Sequence, residues 1–356
     1  MAALSPLAVL ADDIVLRNGG VIEAPVDAVG PEGLTVGGEA PRVIGWDMVY
    51  FVDGDHAEQA QQFSEYSDSV WRARTRLERG DSKLAAELFE PLFDRLLRES
   101  IGGPTGLVIA EGTLRCRVAS GRHGDAVVAW AAALRIRETG QRLSGESGVE
   151  GVIDPLTGLV PVLPPFWLEG SSDAQRFVDL DLSALGTAGT RTDALIELYR
   201  VAADRDLSGG IFAPDAAELP QSNRRSADPG VQLLTEILRA SSDDSEIRRE
   251  ARGNLMAIVD SESGGWKEAW ARFAIGRSLL LEADESSRDA GVLQLLHLPA
   301  RFSRSQHHLA ALALAEAGRE MYRRGNEDAA ERLRVELNTG YAGHEAIEWL
   351  QTELGN

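Results

Sequence analysis

Lysine is almost missing from this chain: of 36 basic residues only Lys83 and Lys267 are lysines, and the rest are arginines. Cysteine is scarcer still, with Cys116 alone, so no disulfide forms within the chain and no zinc site rests on paired thiolates. No run of about 20 apolar residues occurs, which leaves nothing to span a membrane as a helix. Positive charge is in deficit: 36 basic residues face 56 acidic ones, a formal net charge of −20. A chain this acidic repels phosphate backbones and anionic lipid surfaces, which argues against nucleic-acid binding and points to basic or neutral partners. Recognisable catalytic signatures are also missing. There is no HExxH, no Walker loop, no Rossmann glycine pattern, and Ser147 in Gly145-Glu146-Ser147-Gly148 is not a nucleophile elbow.

What is present describes a folded protein. Hydrophobic residues make up 44% and charged residues 26%, an ordinary globular balance. At 356 residues the chain outgrows one small core, so several domains or an extended array are expected. Residues 1–11, MAALSPLAVLA, are short, apolar and end in small residues. They read either as the remnant of a secretory signal, which implies a periplasmic or envelope location, or as a plain N-terminus, which implies the cytoplasm.

Residues 12–53 read as a small β domain. Asn18-Gly19 is a two-residue hairpin signal, since both positions favour positive φ. Strands are expected at Ile14–Leu16, Val21–Val29, Leu34–Val36 and Arg42–Trp46, with Pro25 at an edge or bulge. Four short strands match the spacing of an SH3-like barrel. Helical periodicity begins near residue 54 and holds to about 140. It is interrupted over 141–230 and resumes over 231–356.

Within the helical regions a pattern recurs. A Gly is followed five positions later by Ala and nine positions later by an aromatic: Gly80, Ala85, Phe89; Gly121, Ala126, Trp130; Gly264, Ala269, Phe273. Near the C-terminus Gly318, Gly325 and Ala330 fit, with Arg334 in the aromatic position. This resembles the tetratricopeptide repeat, in which two antiparallel helices pack around such a turn. The resemblance implies a mainly α fold, an α-solenoid of helical hairpins behind the four-stranded β domain. Its anchors are irregularly spaced, so the repeats are divergent or interrupted.

The interruption carries two features. Val160–Trp167 holds a Pro-x-x-Pro motif, Pro161 to Pro164. Such a segment is extended; it either serves an SH3-type domain or lies across its own helices, and its apolar content favours the second. After a helix expected at Thr192–Ala203 comes Asp204-Arg205-Asp206-Leu207-Ser208-Gly209-Gly210 and, further on, Asp215. This resembles an EF-hand loop, which implies calcium ligands at Asp204, Asp206, Ser208, the Gly210 carbonyl and Asp215. Asp215 replaces the usual Glu and no second copy follows. The six histidines show no metal-binding i, i+4 pair, so they read as surface or packing residues. The leading expectation is a non-catalytic scaffold that binds protein or peptide on a helical-repeat surface. A calcium-responsive envelope protein and a hydrolase with an unfamiliar site are the alternatives. Nothing in the sequence sets an oligomeric state.

Overall fold

The chain turns back on itself at Asn18-Gly19, but Asn18 does not take the positive φ expected of both positions. The Gly19 N–H donates to the Leu16 carbonyl at 3.0 Å and the Leu16 N–H to the Gly20 carbonyl at 2.8 Å, so the loop is longer than two residues. In the computed structural model, which describes residues 12–37, 41–141, 152–180, 190–209 and 226–355, Gly19 takes φ 86°. It joins β1 (Asp12–Leu16) to β2 (Val21–Ala24). The run from Val21 to Val29, read as one strand, is two. Pro25 has no N–H to give to a ladder, and beyond it the chain enters a different sheet as β3 (Val26–Gly30). β4 (Gly33–Val36) and β5 (Arg42–Ile44) complete the antiparallel sheet β3-β4-β5. β6 (Val49–Asp53) pairs antiparallel with β1 to give the sheet β2-β1-β6. The expected four strands are therefore six among the described residues, in two three-stranded sheets. Trp46, just past β5, is 2% exposed. Its indole N–H donates to the Gly30 carbonyl at 2.8 Å, and its ring stacks on Phe63 at 5.0 Å.

The remainder is mainly helical. The described residues group into two compact units. The first takes in both sheets, α1 (Ala57–Gln61), α2 (Ser64–Glu78), α3 (Ser82–Glu99), α4 (Gly103–Ala119) and, from Val128 on, α5 (His123–Glu138). Helix α4 is buried on nearly every side, as expected of a helix apolar all round. Its one deeply buried carboxylate, Glu111, is 1% exposed and accepts from Arg137 at 2.7 Å. At Gly112 the ring of Phe89 presses against the α4 backbone: a Cβ there would sit 2.2 Å from Phe89 Cζ. Gly112→Ala is therefore expected to destabilise this unit by about 1–3 kcal/mol through overpacking, read as a lower urea midpoint. A Gly112→Ala, Phe89→Leu pair should recover part of the loss.

The second unit takes in Gly121–Val127, Ile153–Leu180 and the described residues from 190 on. Its helices are α6 (Ser172–Asp179), α7 (Thr190–Leu207), α8 (Pro229–Arg239), α9 (Ser245–Ser261), α10 (Trp266–Leu280), α11 (Glu285–Phe302), α12 (His307–Arg323), α13 (Glu327–Gly340) and α14 (Glu345–Glu353). Each packs on the next from α6 to α14, and α10 with α12 and α12 with α14 also meet. α10 and α12 are buried around most of their circumference, whereas α9, α11 and α13 keep a solvent face. α11 runs through Pro299 and ends at Phe302.

Four glycines of the recurring pattern stand at turns between helices. Gly80, Gly121, Gly264 and Gly325 take φ of 82°, 75°, 84° and 74° between consecutive helices. A Cβ at any of them would meet nothing within 4 Å, so the left-handed backbone, not crowding, selects glycine. Ala85, Ala126, Ala269 and Ala330 are each at most 1% exposed, as are Phe89, Trp130 and Phe273. Arg334, in the fourth aromatic position, is half-buried and pairs with Glu331 at 2.6 Å.

Candidate functional site

The segment 153–170 decides what surface the second unit offers. It contains neither helix nor strand. Asp154 Oδ1 accepts from both the N–H and the hydroxyl of Thr157 at 2.7 Å, an Asx-type turn closed by Gly158 at φ 70°. From there Leu159, Val160, Leu163, Phe166, Trp167 and Leu168 are each at most 2% exposed. This strap lies against the helices, and its backbone polar groups are met by their side chains. Trp270 Nε1 donates to the Pro161 carbonyl at 3.2 Å and the Tyr199 hydroxyl to that of Leu163 at 2.5 Å. The Trp167 N–H donates to Asp206 Oδ2 at 2.9 Å, and Trp349 Nε1 to the Glu169 carbonyl at 3.0 Å. Phe166 rests on Phe273 with ring centres 4.6 Å apart. At Gly230 the strap backbone comes so near that a Cβ would meet the Thr157 carbonyl oxygen at 2.0 Å. The Pro-x-x-Pro segment is thus largely consumed: Leu163, Pro164 and Pro165 are buried, and only Val162 stands exposed.

Beneath the strap runs a chain of buried charge. Arg205 grips both oxygens of Asp206 at 2.8 Å, and Arg277 lies 3.0 Å from the same carboxylate. Arg277 is 3.5 Å from Glu316, which pairs with Arg319 at 2.5 Å, and Arg319 reaches Glu169 of the strap at 3.3 Å. Burial pushes the Asp206 carboxyl upward, but the two guanidinia and the Trp167 N–H together outweigh it and hold it below its usual range. Burial drives the Tyr199 phenol well above its normal value, so it stays a donor to the strap at all working pH.

This places the calcium-loop residues. α7 continues to Leu207, so Asp204 and Asp206 lie in its last turn and not in a loop. Asp206 is fully buried and its oxygens are taken by guanidinia and the Trp167 N–H. Ser208 follows the helix, with its N–H bonded back to the Asp204 and Arg205 carbonyls. Gly210 and Asp215 lie outside the described residues.

Beside the strap is an open groove of about 470 Å³ walled by α8 and α9, with Thr157 at one end and Lys267 at the start of α10. Leu233 and Ile258 give it an apolar lining, and Glu236, Asn254 and Glu262 give it polar groups. Glu236 accepts from Asn254 at 3.0 Å and pairs with Arg239 at 2.9 Å, while Lys267 pairs with Glu262 at 2.8 Å.

Elsewhere in the second unit His123, His307, His308 and His344 come together. His123 stacks on His308 at 3.6 Å and His308 lies 5.0 Å from His344, while His307 stacks on Tyr341 at 4.6 Å. They come from the start of α5, the start of α12 and the cap of α14, so no spacing along the chain announced them. Among the described residues no group of three or more His, Cys, Asp or Glu could hold a metal ion, and no helix is long and apolar enough to cross a membrane. Comparison with family models, with curated proteins and with solved structures finds no match.

Proposed function

We propose that this chain is a non-catalytic scaffold whose helices α7 to α14 act as a tetratricopeptide-like array, and that it binds an extended polypeptide in the groove between α8 and α9. One observation carries the reading: the helices already hold an irregular apolar segment, the strap, with aromatic packing on its side chains and side-chain donors on its carbonyls. That is how a helical-repeat surface would seat a peptide. The groove beside Thr157 extends the same surface. Its carboxylates Glu236 and Glu262, on a chain of net charge −20, favour a basic or neutral segment.

Fluorescent peptides of basic, neutral and acidic composition, titrated against the full chain at low and moderate salt, test this. Basic or neutral peptides should bind, the basic ones more weakly as salt rises. Glu236→Arg with Glu262→Arg should lower the affinity for basic peptides about tenfold or more, roughly 1.4 kcal/mol. Equal affinity for acidic peptides, or a double variant that binds unchanged, counts against the groove.

A further inference from the structure

The histidine cluster obeys a strict donor and acceptor order. His344 is the N-cap of α14, and its Nδ1 accepts from the Ala346 N–H at 3.1 Å. A neutral ring that accepts at Nδ1 carries its proton on Nε2, and Nε2 of His344 lies 2.9 Å from Nδ1 of His308. His308 Nδ1 is therefore an acceptor and its proton sits on its own Nε2; the Phe166 backbone of the strap lies near enough to His308 to favour its protonated form. One run of bonds thus passes from the first turn of α14 through two imidazoles that lie beside the strap. Every acceptor nitrogen in it is occupied, which also leaves no lone pair for a metal.

We propose that His344 and His308, with His123 stacked against them, form a proton-operated latch that holds α14 and the strap at neutral pH and lets α14 go in acid. A proton on His344 Nδ1 turns the cap of α14 from acceptor to donor and sets it against the Ala346 N–H. A proton on His308 Nδ1 sets it against the His344 Nε2–H. Either proton also places a cation in a buried stack whose neighbours are imidazoles. Two ion pairs lie on the neighbouring elements: Arg122, just before α5, with Asp125 at 2.9 Å, and Arg176 with Asp173 of α6 at 2.8 Å. His307 of α12 adds a further imidazole, against Tyr341. Glu345, the first residue of α14, is the remaining carboxyl, within 3.5 Å of the Ser171 hydroxyl.

Burial, then the neighbouring histidines, lowers His344 to about 4 and His308 well below its ordinary value, and burial lowers His123 to about 4. Folded-state values that are depressed mean stability present above the open-state value of about 6.5 and lost as pH falls toward 4. Glu345 works the other way. Burial, then Asp173, raises it to about 7, so its contribution is present below about 4.5 and lost as pH rises through 7. Between pH 6.5 and 4.5, opening that exposes all three rings takes up three protons and releases one. The open population should therefore rise by up to about a hundredfold per pH unit.

Hydrogen exchange followed by mass spectrometry on the full chain, between pH 7 and 4.5 and corrected for intrinsic rates, tests this. Segment 345–355 and the strap near Phe166 should lose protection with falling pH before the core of α10 does. His344→Asn keeps a capping side chain but cannot take the proton; combined with His308→Gln it should flatten the pH dependence. Protection of 345–355 that does not change with pH, or that falls equally in the double variant, overturns the latch. Should that variant not fold, imidazole resonances of the wild type decide. Three rings titrating below pH 5 support the latch, and rings titrating near 6.5 with α14 in place overturn it.

Discussion

Asp206→Ala should destabilise the second unit by about 3–5 kcal/mol, because it leaves Arg205 and Arg277 buried without their shared anion. Arg205 is 4% exposed and Asp206 is fully buried, so solvent cannot replace the lost charge. The strap loses as well, since the Trp167 N–H has Asp206 as its acceptor. Asp206→Asn keeps an acceptor for that N–H and should cost less. Asp206 titrates below its ordinary value when folded. Its contribution is therefore present above about pH 4 and lost as pH falls through the lower folded-state value. The gap between wild type and Asp206→Ala, read from urea midpoints, should be constant near neutrality and close in strong acid. Millimolar calcium separates the two roles of this residue. A structural Asp206 gives the same gap with and without calcium; a calcium ligand gives a gap that widens as calcium is added, since a native-state ligand stabilises only the protein that binds it.

Phe166→Ala should cost about 3–5 kcal/mol and Leu163→Ala about 2–5 kcal/mol, the range for large side chains removed from a packed core. Phe166 is 1% exposed and lies on Phe273, and Leu163 is likewise 1% exposed. The strap is irregular in backbone yet as dry as a core helix, so its truncations should behave like core truncations and not like loop substitutions. Val162→Ala, exposed on the same segment, should stay within about 0.5 kcal/mol. If Phe166→Ala matched Val162→Ala in denaturation, the strap would be a loosely held cover and not part of the core.

Much of the helical part was legible residue by residue. Gly80, Gly121, Gly264 and Gly325 were placed as turns by the recurring Gly–Ala–aromatic pattern, and each is a left-handed turn between helices. Asn18-Gly19 was legible as a hairpin for a local reason too, although only Gly19 takes the positive φ expected of both residues. The strands were less so. Val21–Val29 has a continuous apolar pattern, and only its pairing shows that Pro25 divides it between two sheets. The end of α7 was misplaced because Asp204 and Asp206 read as loop acids. Asp206 is held by Arg205 beside it and by Arg277 and the Trp167 N–H from elsewhere in the chain, and such distant partners leave no trace in local periodicity. His123, His308 and His344 were assigned to surface or packing for a similar reason: each is ordinary in its local sequence, and only their meeting makes a hydrogen-bonded pair, His308 with His344, and a stacked third ring, His123.

By itself the sequence determined the quantities that act within a few residues or over the whole chain. These are helical periodicity, glycine turns, the hairpin, the acidic charge, and the absence of a disulfide or an apolar span. Each follows from steric limits, side-chain spacing or summed charge, and none needs a distant partner. The tertiary structure decided what lies where: that the proline-rich segment is the strap over its own helices, that Asp206 belongs to a buried ion chain, and that His308 is hydrogen-bonded to His344 with His123 stacked on it. These depend on burial, which removes water and makes every donor, acceptor and charge answer to whichever group the fold brings against it.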